Sequence, residues 1–339
     1  MLLAAGVAGP ALAGGVTGHA SMGTQPIRLD DPRLPDVLSV EYTYRDHEVV
    51  DYQNYSLDIM PRVRFRGPRF DPREAAQGGF FTALGSAHTL GVLSPSTYTD
   101  MLAHELGMPG WNVGVGGISA SFYNYHPAII EKANRGAFAI VQITAARMES
   151  NDRFQSTPAA QVVLDRKHGD MVAPELAWAR IAEEEPENMA RYVKQSRQSW
   201  EREQRKLMSA LSVPVVLLWF SARPMAAGGD ALTQVGTTAT TAFPQYINGT
   251  DVARISDGAH SLVECVTARN AGHPLVSRFT GERVKVNHRL LGAPRVGEAD
   301  FFEDVNSYYP SLEMHEDVVS ALLPTLQQWK PAASRVPGA

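Results

Sequence analysis

The chain has 339 residues, a net charge of -5 and 44% hydrophobic against 20% charged residues. That is ordinary globular chemistry with ample chain for a buried core, and neither the charge nor any basic run offers a nucleic-acid surface. One cysteine, Cys265, excludes an internal disulfide framework and suggests no cysteine-based zinc site, and no apolar run reaches the length of a membrane span.

Met1–Ala13 is apolar, and Ala11-Leu-Ala13 resembles a signal-peptidase site, yet no Lys or Arg precedes it and Gly6, Gly9 and Pro10 interrupt it. Residues 1–25 are therefore expected to be a disordered leader or a misassigned start, with Met22 as an alternative beginning. A cytoplasmic location is expected, with export as the alternative. Residues 26–78 show little periodicity and read as an irregular arm in which Arg64-Phe-Arg66-Gly-Pro68 marks a turn.

From Gly79 the pattern changes to short apolar runs alternating with helical ones. Strands are expected at Gly79–Leu84, Pro109–Val115, Ala137–Thr144, Val213–Phe220 and Ser261–Thr267. Helices are expected from Ser96 to Leu106, from Ser119 or Ser121 to Asn134, over Pro174–Leu211 with a break at Pro186, over Asn248–Gly258, and over Ser311–Trp329. The charged Pro174–Leu211 insertion reads as a solvated face with local ion pairs, or as a cap over a site. Ser221–Tyr246 reads as a long loop, and 331–339 as a tail. Strands that are nearly all apolar and separated by helices predict a parallel, doubly wound α/β/α sandwich with strand order 2-1-3-4-5. The main domain is then 79–330. Ligands in such sheets bind at the carboxyl ends of the strands, where Gly85-Ser-Ala-His-Thr-Leu-Gly91 and Gly114-Val-Gly-Gly117 carry small residues.

The order of these blocks over roughly residues 60–330 resembles the SGNH (GDSL-type) hydrolase superfamily, and more narrowly a bacterial group labelled DUF6473. The family places Gly-Asp-Ser-x-x-x-Gly after the first strand. Aligning Gly85 and Gly91 puts Ser86 at the aspartate and Ala87 at the nucleophilic serine, so a one-residue adjustment is needed for Ser86 to serve. The resemblance implies that Gly117 donates to an oxyanion, that Asn151 or a neighbour stands for the family's asparagine, and that His315 is the base before the last helix. Leu312 stands where the orienting aspartate belongs. His88 and Gly114 are further candidate ligand contacts.

The implied activity is hydrolysis or transfer of an acyl group on a carbohydrate or lipid ester. Ser86 would attack, His315 would take its proton and Gly117 would hold the oxyanion. One alternative is an inactive fold of this type that binds a polar or anionic ligand. Another is a group transferase holding a phosphate- or sulfate-bearing donor at Gly114–Gly117, with Arg147 or Arg153 as clamp. No cofactor and no metal are expected, since the histidines are scattered and no metal or nucleotide motif occurs. The expected partner is a small molecule or carbohydrate.

Overall fold

In the computed structural model, residues 26–40, 42–226, 243–287 and 302–329 are described. The expected leader and tail lie outside these, as does most of the 221–246 loop.

Five strands form one parallel sheet: β1 (Phe81–Leu84), β2 (Gly110–Asn112), β3 (Ala139–Gln142), β4 (Val215–Ser221) and β5 (Ser261–Val266). Their order across the sheet is β5-β4-β3-β1-β2, the expected 2-1-3-4-5 read from the other edge. The register is continuous, with Thr82 opposite both Trp111 and Ala139, and Val216 opposite both Ile140 and Ser261. β4 is buried along its whole length, which explains its unbroken apolar run. Its alternate side chains feed two cores. Val215, Leu217 and Trp219 join one face, and Val216, Leu218 and Phe220 join the other. Each such side chain contributes about 1.5–3 kcal/mol by leaving water.

The helices that position the site are α1 (Ala87–Leu90), α2 (Tyr98–Leu106), α3 (Ala120–Tyr125), α4 (Pro127–Ala133), α5 (Pro174–Glu184), α6 (Met189–Ala210) and α7 (Leu312–Leu326). α2 is capped by Thr97, one residue after Ser96, because Thr97 and Asp100 form a reciprocal capping box. The helix expected from Ser119 to Asn134 is two helices. Pro127 lacks an N–H and opens α4 at its first turn instead of continuing α3.

The arm is more ordered than its sequence suggests. Tyr55–Leu57 pairs antiparallel with Met60–Phe65, burying Met60, Val63 and Phe65. Arg66 is 5% exposed and donates to the carbonyls of Leu90, Gly91, Ser94 and Pro95. The arm thereby pins the turn that follows α1. A three-stranded antiparallel sheet, Phe154–Ser156, Val163–Asp165 and Met171–Val172, follows β3. Two glutamates of the insertion pair across space rather than along their own helix: Glu184 and Glu185 reach Arg153 and Lys167. Cys265 is buried, and burial pushes its thiol up to about 11, as suits an inert core residue.

Candidate functional site

The β1–α1 turn is built around two side chains brought from elsewhere. Gln142, the last residue of β3, accepts at Oε1 from the Ser86 N–H (3.0 Å), the Thr89 N–H (3.2 Å) and the Thr89 hydroxyl (2.7 Å). It thus satisfies two donors at the start of α1 that have no intrahelical partner. The Tyr123 hydroxyl accepts from the Gly85 N–H (2.8 Å) and reaches the Gly85 and Val113 carbonyls (2.8 and 2.9 Å), joining the ends of β1 and β2.

Above this turn lies a cavity of about 220 Å³, lined by Ser86, Ala87 and His88 from the β1 end, Gly117 and Ile118 from the β2 end, and Ala145 and Arg147 after β3. Its remaining wall includes Tyr42 and Arg45 of the arm, Gln161, Glu175 of α5, and Phe243, Gln245, Tyr308 and Tyr309. The sheet's carboxyl edge therefore holds a site, assembled from segments spread over the chain. Arg45 pairs with Asp46 and lies 4.8 Å from the Tyr42 ring centre. Arg147 pairs with Glu175, and both stay partly exposed. Each arginine on the wall is answered by a carboxylate, so the cavity carries no strong net charge.

Gly117 (φ +69°) occupies left-handed backbone, and a Cβ added there would meet Gln161 Cγ at 2.1 Å. Gln161 is itself left-handed (φ +55°), and its N–H donates to the Gly117 carbonyl at 3.0 Å. The glycine admits the glutamine side chain to the wall.

The other sequence candidates fall in different places. Gly114 borders a neighbouring crevice of about 10 Å³, and a Cβ there would meet the Leu90 nitrogen at 2.4 Å. Its glycine is explained by packing against α1. Asn151 is spent on a turn. Its Oδ1 accepts from the Arg153 and Phe154 N–H groups (2.8 and 2.9 Å) and its Nδ2 donates to Ser196, away from the cavity wall. Arg153 is buried between Asp165, Glu184 and Glu185, so of the two arginines offered as a clamp only Arg147 lines the cavity.

His315 is fully buried at the start of α7, stacked on Tyr98 and edge-on to Phe220, and is not part of the cavity wall. Its Nδ1 accepts the Tyr98 N–H at 3.2 Å, and its Nε2 is buried without a partner. That bond puts the ring proton on Nε2. A base for a serine hydroxyl needs the opposite tautomer, with a free Nε2 lone pair and Nδ1–H held by a carboxylate. Burial, helped by Arg66 and His88, pushes His315 down to about 3. Burial alone does the same to His88, which is stacked 4.0 Å from the Phe243 ring. Ser86 Oγ is buried at the cavity edge and hydrogen-bonds to neither histidine.

Sequence reasoning missed Gln142, Glu175, Tyr42, Tyr308 and Tyr309. Gln142 carried a signal, as the one polar residue in the apolar Ala139–Gln142 strand. Among the described residues, no group of three or more His, Cys, Asp or Glu is placed to hold a metal, and no helix is long and apolar enough to cross a membrane.

An α/β protein with this sheet order and a cavity at the carboxyl edge has the architecture that the SGNH-like block order implies. Residues 40–159 match the family described as a domain of unknown function, DUF6473. No curated protein matches. Among solved structures it is similar to an acetylxylan esterase from Geobacillus stearothermophilus, at 13% identity and a TM-score of 0.37 over 74% of this chain and 95% of that one. It is also similar to LAE5, an alpha/beta hydrolase from the metagenome of Lake Arreo, at 11% identity and a TM-score of 0.39 over 74% and 96%. A two-domain esterase active on acetylated mannans matches at 13% identity and a TM-score of 0.35. There the match covers 77% of this chain and about half of the other, 51%.

Proposed function

We propose that the cavity binds an uncharged polar ring compound, a sugar unit or its acyl ester, and that the protein is a ligand-binding member of the SGNH-like fold rather than a Ser–His acyl hydrolase. The observation that carries this is the Tyr98 N–H bound to His315 Nδ1, which takes the histidine implied by the block order out of the role of base for Ser86. Ala87 at the place of the family's nucleophile supports the same reading. The ligand class follows from the wall. Tyr308 and Tyr309 offer ring faces and hydroxyls. Gln161 and Gln245 offer amides, and the paired arginines leave no strong charge to attract an anion. At about 220 Å³ the space falls below the roughly 300–1,000 Å³ of drug-sized sites and suits one ring.

A second reading is an esterase in which Ser86 attacks. It is favoured by one observation, an unpartnered buried hydroxyl at the cavity edge. Calorimetric titration with a panel of free and acetylated monosaccharides, run beside a p-nitrophenyl acetate assay, separates the two. Binding is expected for at least one sugar, weakened about tenfold by Tyr308→Ala, which is about 1.4 kcal/mol. Ester turnover is expected at the buffer rate in both wild type and Ser86→Ala. Turnover abolished by Ser86→Ala would establish the esterase instead, and a panel with no binder would remove the sugar assignment.

A further inference from the structure

Behind the Gly117 turn lies a carboxyl group that the ligand reading does not use. Glu149 follows the 3-10 turn Ala146–Met148, two residues after the cavity's Arg147, and is 0% exposed. Its main chain is fixed at both ends. The N–H donates to the Ala146 carbonyl (2.9 Å), and the carbonyl accepts from Ser196 Oγ of α6 (2.9 Å).

Its side chain reaches the segment that leaves the cavity. Oε1 accepts from the Ser119 hydroxyl and from the Ser121 N–H at 3.2 Å. Ser119 occupies the N-cap position of α3, yet its own side chain caps nothing there. The carboxyl of Glu149 takes that place from another part of the chain. Oε2, by contrast, is buried with no partner, and Glu149 makes no ion pair among the described residues. A buried carboxylate with one oxygen bare is costly to keep ionised, and an unsatisfied buried group of this kind calls for an explanation.

We propose that Glu149 is the positioning residue of the Gly117–Ser121 segment, and that gaining or losing its proton changes how firmly that segment, and with it one wall of the cavity, is held. The assignment of the cavity as a ligand site rests on the reading above; the coupling of Glu149 to the segment does not.

The groups around Glu149 come from two elements. Ser119 and Ser121 lie at the start of α3 and Tyr125 at its end, Ser196 and Glu203 are on α6, and Glu203 is itself paired with Arg202. Burial, against the lowering effect of the Ser119 and Ser121 hydrogen bonds and with a smaller push from Glu203, raises Glu149 to about 7. The ionised form binds the two donors more strongly, because charge-assisted hydrogen bonds are the stronger kind. Losing these two bonds while the carboxyl stays buried raises its proton affinity further, so this local step is opposed above neutrality and favoured below it; global unfolding, which returns the carboxyl to water, responds to pH in the opposite sense.

The test needs no ligand, so its failure and the failure of the sugar reading are separable. In the full chain, amide hydrogen exchange over residues 117–122 is followed from pH 5 to 9 and normalised to the intrinsic rate at each pH. Protection in the wild type is expected to rise several-fold with a midpoint near 7. Glu149→Gln is expected to flatten the profile. If that variant fails to fold, two others move the midpoint in opposite directions: Ser119→Ala, which removes a donor, raises it, and Glu203→Gln, which removes a like charge, lowers it. A purely structural Glu149 would show no midpoint between pH 5 and 9. That result, or a midpoint that survives Glu149→Gln or ignores both neighbours, would overturn the proposal.

Discussion

Single side chains decide what this site can do. His315 stands where the block order places a base, but its chemistry is set by the Tyr98 N–H, a partner 217 positions away in sequence. Gln161 is the complementary case. Its left-handed backbone costs roughly 1–2 kcal/mol for a residue with a Cβ, and such strain is kept where the side chain has a task. Gln161→Gly is expected to raise stability by up to about 1 kcal/mol in urea unfolding while weakening sugar binding. Loss of both stability and binding would mean that the side chain serves only packing.

At the level of elements, the helices that frame the cavity depend on their ends. α2 carries Tyr98, whose N–H fixes His315, and α2 is started by the Thr97–Asp100 capping box. Thr97→Ala removes the acceptor for the Asp100 N–H and is expected to cost about 1 kcal/mol, measured as a shift in the urea midpoint at unchanged slope. The arm reaches the site through Arg66, which binds four carbonyls around the 90–95 turn. The sequence offered this arginine only as part of a turn, because a guanidinium buried against carbonyls leaves no periodic trace.

For the whole molecule, the buried titratable groups set how stability responds to acid. His88 and His315 stand near 3 in the fold against 6.5 when exposed, so each favours the fold at high pH and ceases to as pH falls from about 6.5. Glu149 stands near 7 against 4.5, so its stabilising effect is complete below 4.5 and lost as pH rises through 7. Between pH 6 and 5 each group is worth roughly 1 kcal/mol per unit: two losses against one gain on acidification. The three together then lose roughly 1 kcal/mol over that unit, Glu149→Gln roughly 2, and His315→Gln close to none. Urea unfolding at pH 6 and pH 5 checks these differences, and equal slopes in all three proteins would refute the assignment.

The sheet was legible in the sequence because its strands are buried on both faces, and burial on both faces writes a continuous apolar run. Val213–Phe220 and Ala137–Thr144 could hardly be anything else, and with helices between them the right-handed crossover rule left few strand orders. The glycine-bearing turns at 85–91 and 114–117 were equally plain, since close backbone approach demands small residues. Identity and position in the chain do not say where a polar side chain spends its hydrogen bonds. Asn151 was spent on a local turn, His315 on a distant backbone N–H, and Glu149 on the segment behind Gly117. Apolar burial is a property of a segment and can be read along it, whereas a hydrogen bond belongs to two partners, and only the tertiary structure brings them together.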